Sequence, residues 1–209
     1  ASGEQHTAMI TIAVMLGTLM QVLDTTIANV ALPNMQGTLN ATQDQVAWVL
    51  TSYIVGAAIM TPPTGWLAGR FGRKRMYLFS IIGFTIASFL CGISTSLTEM
   101  VLFRVAQGLF GASMVPISQA ILLDSYPREK HGMAMAIFGV GIMLGPILGP
   151  TLGGWLTDSY SWRWVFFINI PVGVLTVLMV TSFVHETEIN KTRTFDALGF
   201  VFLSLRSEE

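Results

Sequence analysis

Charge is what this sequence has least of. Aspartate, glutamate, lysine and arginine make up 11% of its 209 residues, less than half of the roughly 25% usual in a soluble domain. A soluble domain of this length could bury a core but could not cover its surface with so few charges. Cysteine occurs once, as Cys91 in an apolar run, which excludes a disulfide framework and gives no metal-ligand spacing. Histidine occurs three times, as His6, His131 and His185, scattered outside the apolar runs. No basic helix with interleaved aromatics is present and the net charge is -1, so nucleic acid is not an expected partner. The sequence holds no nucleophile–base set, phosphate loop or metal cluster, and an enzyme is not expected.

What it has in abundance is apolar length. Hydrophobic residues account for 52% and the mean hydropathy is +0.62. The first long run, Ala8 to Ala31, holds 24 residues that are apolar or small except for Gln21, Asp24, a few threonines and Asn29. As a helix it covers about 36 Å, enough to cross the ~30 Å hydrocarbon core of a bilayer with some tilt. A cleaved signal peptide is not expected, because the run is too long, lacks a basic flank and ends in VALP. Further runs at about 46–67, 76–93, 99–123, 133–156 and 164–184 make six candidate spans. Residues 1–7 precede them, 185–194 form a charged linker, and 195–209 begin a further segment that stops too early to cross. The predicted fold class is an all-α polytopic membrane protein.

Six spans alternate sides, so loop charges test the topology. Arg70, Arg73, Lys74, Arg75, Arg128, Lys130, Lys191 and Arg193 fall on one side, and only Arg163 on the other. The positive-inside rule then places both termini in the cytoplasm, with 1–7 and 185–194 on that face. Asp124, Arg128 and Glu129 read as a solvated cytoplasmic loop, and Trp66, Trp155, Trp162 and Trp164 as belt residues near span ends.

Two ionisable residues lie within the spans. Asp24 is seven residues from the outer end of the first, and Arg104 five residues into the fourth, which puts them ~10 Å and ~8 Å from the same side. Intramembrane charges pair with one another or line a wet cavity. The bland reading is a polar pair that fixes packing; the sharper one is a proton or substrate site. Gln107 shares a helix face with Arg104, with Gly108 and Gly111 beside it to admit a neighbouring helix. Gln21 and Asn29 are candidates to line a cavity, although such residues also serve as interhelical hydrogen bonds. In the fifth span Gly141, Gly145, Gly149 and Gly153 recur every four residues, with Pro146 and Pro150 one residue after the middle two. Such a stripe allows close packing, and each proline removes a backbone hydrogen bond. Packing alone and packing that governs a gate are both open readings.

Five stretches in order resemble the major facilitator superfamily, and most closely its fourteen-span drug:proton antiporters of the EmrB/QacA type. They are Leu23–Pro33 (LDTTIANVALP), Gly65–Arg75 (GWLAGRFGRKR), Arg104–Gly108 (RVAQG), Gly145–Gly154 (GPILGPTLGG) and Trp162–Pro171 (WRWVFFINIP). The resemblance implies the amino-terminal six-helix bundle of that fold plus the start of a seventh helix. It implies one wall of a cavity whose other wall belongs to a missing carboxy-terminal half. Gating and packing are expected of Gly65, Arg70, Gly72 and Arg73 from the loop stretch of the resemblance, of Gly141, Gly145, Pro146, Gly149, Pro150 and Gly153 from the stripe in the fifth span, and of Gly154 beside it. Two departures stand out: Gly69 replaces the aspartate common in the loop motif, and the chain stops early in the seventh span.

The expected function is the amino-terminal half of a proton-coupled multidrug antiporter that exports lipophilic or cationic small molecules by alternating access. Asp24 would carry the proton, with Arg104 as its partner. Burial favours the neutral acid and the arginine favours the carboxylate, so the pair is suited to taking up and releasing a proton. No cofactor is expected beyond the proton as coupling ion. The expected surroundings are a bacterial inner membrane, its lipid and a small-molecule substrate, with a periplasmic adaptor subunit implied for a Gram-negative cell. A truncated non-transporting partner of a full transporter, and a half-transporter that dimerises, are the alternatives.

Overall fold

In the computed structural model, residues 2–186 and 199 are described; the segment at 195–205, with Lys191 and Arg193, lies outside them apart from residue 199. Among the described residues there is no strand. The helices are α1 (Ser2–Thr38), α2 (Gln43–Val46), α3 (Trp48–Met60), α4 (Thr64–Phe71), α5 (Arg73–Ile93) and α6 (Leu97–Gly111). They continue with α7 (Met114–Ser125), α8 (His131–Ser159), α9 (Trp164–Phe167) and α10 (Asn169–Phe183). Five helical stretches are long and apolar enough to cross a bilayer, and α2–α3 with α4 supplies a sixth as a span bent by 57°.

Prolines stand at three breaks in the spans, although α1 runs through Pro33 without one. Pro62 and Pro63 follow α3, and two missing backbone donors in succession account for the bend before α4. The fourth span breaks at Ala112–Ser113 and the sixth at Ile168. Each break lies three or four residues before a proline, Pro116 or Pro171, whose ring presses on the carbonyl four residues back. The fifth span has two prolines and no break: α8 runs through Pro146 and Pro150 for 29 residues. Gly145 and Gly149 precede these prolines and lack the Cβ that collides with a following proline ring. At the broken spans that place is taken by Val115 and Ile170.

The helix ends are built from local sequence. Thr42 and Gln45 form a capping box on α2, and the Ser96 hydroxyl accepts from Glu99 N at the start of α6. Gly72 joins α4 to α5 at φ 96°, a left-handed conformation suited to glycine. α1 is about 55 Å long by its rise, well beyond the hydrocarbon thickness. Its last turns pack against the connection between α8 and α9: Met35 and Leu39 join Trp162 in an apolar cluster, and Trp162 Nε1 donates to Thr38 Oγ1 at 3.1 Å. Trp162 is therefore buried rather than a belt residue, whereas Trp155 and Trp164 are exposed with Tyr160 stacked between them.

The interior has two apolar clusters separated by a polar layer. One contains Met20, Tyr53, Tyr77, Phe84, Met114 and Phe138, and the other Ile27, Val49, Cys91, Met100 and Phe166. Along α1 the order is Met20, Asp24, Ile27; along α5 it is Phe84, Ser88, Cys91. Each span that crosses the boundary between the clusters thus has the chance to place one polar side chain there.

Candidate functional site

The polar layer closes around Asp24. Its Oδ2 accepts from Arg104 Nη1 at 2.7 Å, and both side chains are 1% exposed. Its Oδ1 accepts from Gln107 Nε2 at 3.1 Å and from Asn169 Nδ2 at 3.0 Å. Arg104 is held from further sides. Nε donates to the Val49 carbonyl at 3.0 Å, Nη1 also donates to Gln107 Oε1 at 2.7 Å, and the guanidinium carbon lies 4.5 Å from the Tyr53 ring centre. Asn169 Nδ2 donates in addition to Ser88 Oγ at 2.9 Å, and that hydroxyl donates to the Phe166 carbonyl at 2.7 Å. One carboxylate in this way links α1, α3, α5, α6 and the α9–α10 junction. In low dielectric such a charge persists only when paired and saturated with donors, and this one is.

Helix spacing explains the convergence. Arg104 and Gln107 stand three apart on α6 and so present to one neighbour. Gly56 and Gly108 let α3 and α6 touch along their backbones: a Cβ on Gly108 would strike the Tyr53 carbonyl and one on Gly56 the Val105 carbonyl. That close approach brings the Val49 carbonyl within reach of Arg104.

The predicted pairing of Asp24 with Arg104 is thus a direct, buried contact. Gln107 sits inside the same network, fully buried, and does not line an open cavity. Gln21 donates to the Tyr53 hydroxyl at 3.0 Å, one step outside the pair. Asn29 lies apart from these: it is exposed and lines a cavity of about 690 Å³ with Leu32, Pro33, Gln36, Asp44 and Val46. Asn169, Ser88 and Tyr53 were not singled out in the sequence. Asn169 lies in the WRWVFFINIP stretch, and the available signal is an amide two residues before Pro171, just after the break at Ile168.

The fifth span meets α1 through its glycines. A Cβ on Gly141, Gly145, Gly149 or Gly153 would press on Met15, Val22, Thr26 or Ile27 respectively, and Thr26 Oγ1 also reaches the Gly145 carbonyl at 3.3 Å. Pro146 and Pro150 are exposed on the other side of α8. A Cβ on Gly65 or Gly154 would meet nothing within 4 Å among the described residues.

At the basic end, Arg73 forms an ion pair with Asp124 of α7, so Asp124 is not simply a solvated loop acid. Arg70 lies over the Trp66 ring at 5.7 Å. Glu186, just past α10, accepts from Lys74 N at 3.1 Å and Arg75 N at 3.2 Å and so caps α5, while Lys74 Nζ donates to the Thr181 carbonyl at 3.0 Å. Gly72 is needed here as well, because a Cβ would collide with the Glu186 carboxylate. Gly69 lines a cavity of about 270 Å³ beside Arg73.

Six candidate spans around a buried, fully paired carboxylate define a polytopic helical membrane protein with an ion pair in its interior. The model of the Major Facilitator Superfamily matches residues 14–207, and the chain belongs to that family. It is 45% identical over 196 residues to "Multidrug export protein EmrB" of Escherichia coli K12, covering 93% of this chain and 38% of that protein. It is 41% identical over 187 residues to "Fatty acid resistance protein FarB" of Neisseria gonorrhoeae, covering 90% and 37%. The chain spans less than half the length of these curated relatives. Among solved structures, a peptide transporter of the POT type in complex with sulfate superposes with a TM-score of 0.75 at 14% identity, over 95% of this chain and 43% of the other. That likeness shows the fold.

Proposed function

We propose that the chain is the amino-terminal half of a proton-coupled multidrug exporter, moving lipophilic or cationic small molecules outward by alternating access. Asp24 carries the proton and Arg104 is its counter-ion. The observation that supports this best is the Asp24–Arg104 pair, 1% exposed on both sides and joined to five spans. A proton on Asp24 removes one of the two charges that hold the polar layer together, so proton uptake changes which packing of the spans is favoured. Inward movement of one proton supplies roughly 2.3 kcal/mol per 100 mV of membrane potential, plus the pH difference.

Export is supported by the printed names of the relatives, one a multidrug export protein and one a fatty acid resistance protein. The basic end bearing Arg70, Arg73, Lys74 and Arg75 faces the cytoplasm, with both ends of this chain on that side of a bacterial inner membrane. The carboxy-terminal half supplies the second wall of the substrate cavity, and a periplasmic adaptor joins the complex in a Gram-negative cell. Proton-driven efflux by the full-length protein is the test. Asp24→Asn should abolish coupled export while the protein still inserts in the membrane. Normal efflux by that variant ends the proposal.

A further inference from the structure

Three side chains donate to Asp24, and of the two amides among them only one can turn over. Gln107 Oε1 accepts from Arg104 Nη1 at 2.7 Å and from the Cys91 thiol at 3.7 Å, so reversing that amide would set its NH2 against a guanidinium. Asn169 is not locked in this way. Its two N–H groups go to Asp24 Oδ1 at 3.0 Å and Ser88 Oγ at 2.9 Å. The second of these is a hydroxyl, which can rotate. Ser88 now donates to the Phe166 carbonyl at 2.7 Å, immediately before the break at Ile168.

With Asp24 ionised, the observed orientation of Asn169 is the one that sets its NH2 against both Asp24 Oδ1 and Ser88 Oγ. A proton taken from water onto Oδ1 reverses the demand, because a carboxylic acid O–H needs an acceptor where Asn169 presents a donor. Oδ2 is the poorer place for that proton, since it faces the Arg104 guanidinium at 2.7 Å. Turning the Asn169 amide brings its carbonyl oxygen to the acid proton. Ser88 must then turn its hydroxyl from the Phe166 carbonyl to Asn169, or lose the contact. Release of the proton to water restores the carboxylate and the first arrangement. Among the described residues, the titratable groups that act on this site are Arg104 from α6, Tyr53 from α3 and Cys91 from α5.

We infer that Asn169 is a positioning residue that converts the protonation state of Asp24 on α1 into a change at the α9–α10 junction, by reversal of its side-chain amide. This rests on the reading of Asp24 as the proton carrier. It makes the broken sixth span, and not only the Arg104 helix, respond to the proton.

The test is an infrared difference spectrum between low and high pH on the reconstituted full-length protein, labelled with 15N-asparagine. The expected result is a carboxylic acid band that is lost in Asp24→Asn, together with an isotope-shifted carboxamide band that is lost in Asn169→Val. The wild-type bands need no variant to be seen, so a misfolded variant does not decide the outcome. A carboxylic acid band without a carboxamide change overturns the role of Asn169 and leaves Asp24 as the carrier. Absence of the carboxylic acid band overturns the carrier itself. In efflux, Asn169→Ser keeps a group that both donates and accepts, whereas Asn169→Val should lower coupled transport roughly tenfold or more, as loss of one hydrogen bond to a charged group implies. Equal transport by the two variants also overturns the inference.

Discussion

At the scale of single residues, the site is a balance between one buried charge and the groups that neutralise it. Truncating one partner of a buried ion pair leaves the other uncompensated and costs about 3–5 kcal/mol, whereas replacing both with neutral groups is often close to neutral. Arg104→Gln in the full-length protein should therefore lower thermal stability in detergent markedly. Asp24→Asn/Arg104→Gln should recover most of that loss while transport stays uncoupled. A double variant no more stable than Arg104→Gln would mean that the pair is not held together by charge. Much of this pair was legible in the sequence, because charges are rare in apolar helices and helical rise sets their depth. Asn169 and Ser88 were not, because small neutral polar residues are ordinary in membrane helices and nothing in their spacing shows which neighbour they meet. Asn29, five residues along α1 from Asp24, stands apart from the polar network and lines a cavity of its own.

Among elements, glycine and proline set the geometry. The six apolar runs and the α8 stripe could be read directly, since each depends on local spacing. The breaks in the second, fourth and sixth spans could be placed less well, although a proline marks each one. Whether a proline breaks a membrane helix depends on the residue before it and on what neighbouring helices supply: α8 stays whole where the preceding residue is glycine, and α1 stays whole at Pro33 although Leu32 precedes it. The α3–α6 backbone contact through Gly56 and Gly108 was only half visible, because the two glycines lie on different helices and form no motif together. Gly108→Ala would push its Cβ into the Tyr53 carbonyl, which cannot swing aside as a side chain can. Overpacking of this kind costs about 1–3 kcal/mol, and it should also displace the Val49 carbonyl from Arg104. Gly154→Ala faces open space and should leave stability within about 0.5 kcal/mol of wild type. The comparison of melting temperatures for the two variants checks this, and equal losses would contradict the close approach of α3 and α6.

At the scale of the whole molecule, the polar layer joins every span among the described residues except the fifth, which is attached to the first by its glycine seam. The basic end is fastened separately: the Arg73–Asp124 ion pair ties α5 to α7, and Glu186 ties the exit of α10 to the start of α5. Gly69 removes an acid from this region, and Glu186 supplies one at the neighbouring helix end. The chain spans 38% of the length of EmrB, and in the proposed cycle a proton on Asp24 shifts how these spans pack. The most direct measurement is proton release on drug binding by the full-length protein in weakly buffered detergent solution. Wild type should release protons when an exported compound is added near neutral pH, and Asp24→Asn, with its fold intact by melting, should bind the compound and release none. Proton release by that variant equal to wild type would contradict the assignment of Asp24 as the carrier.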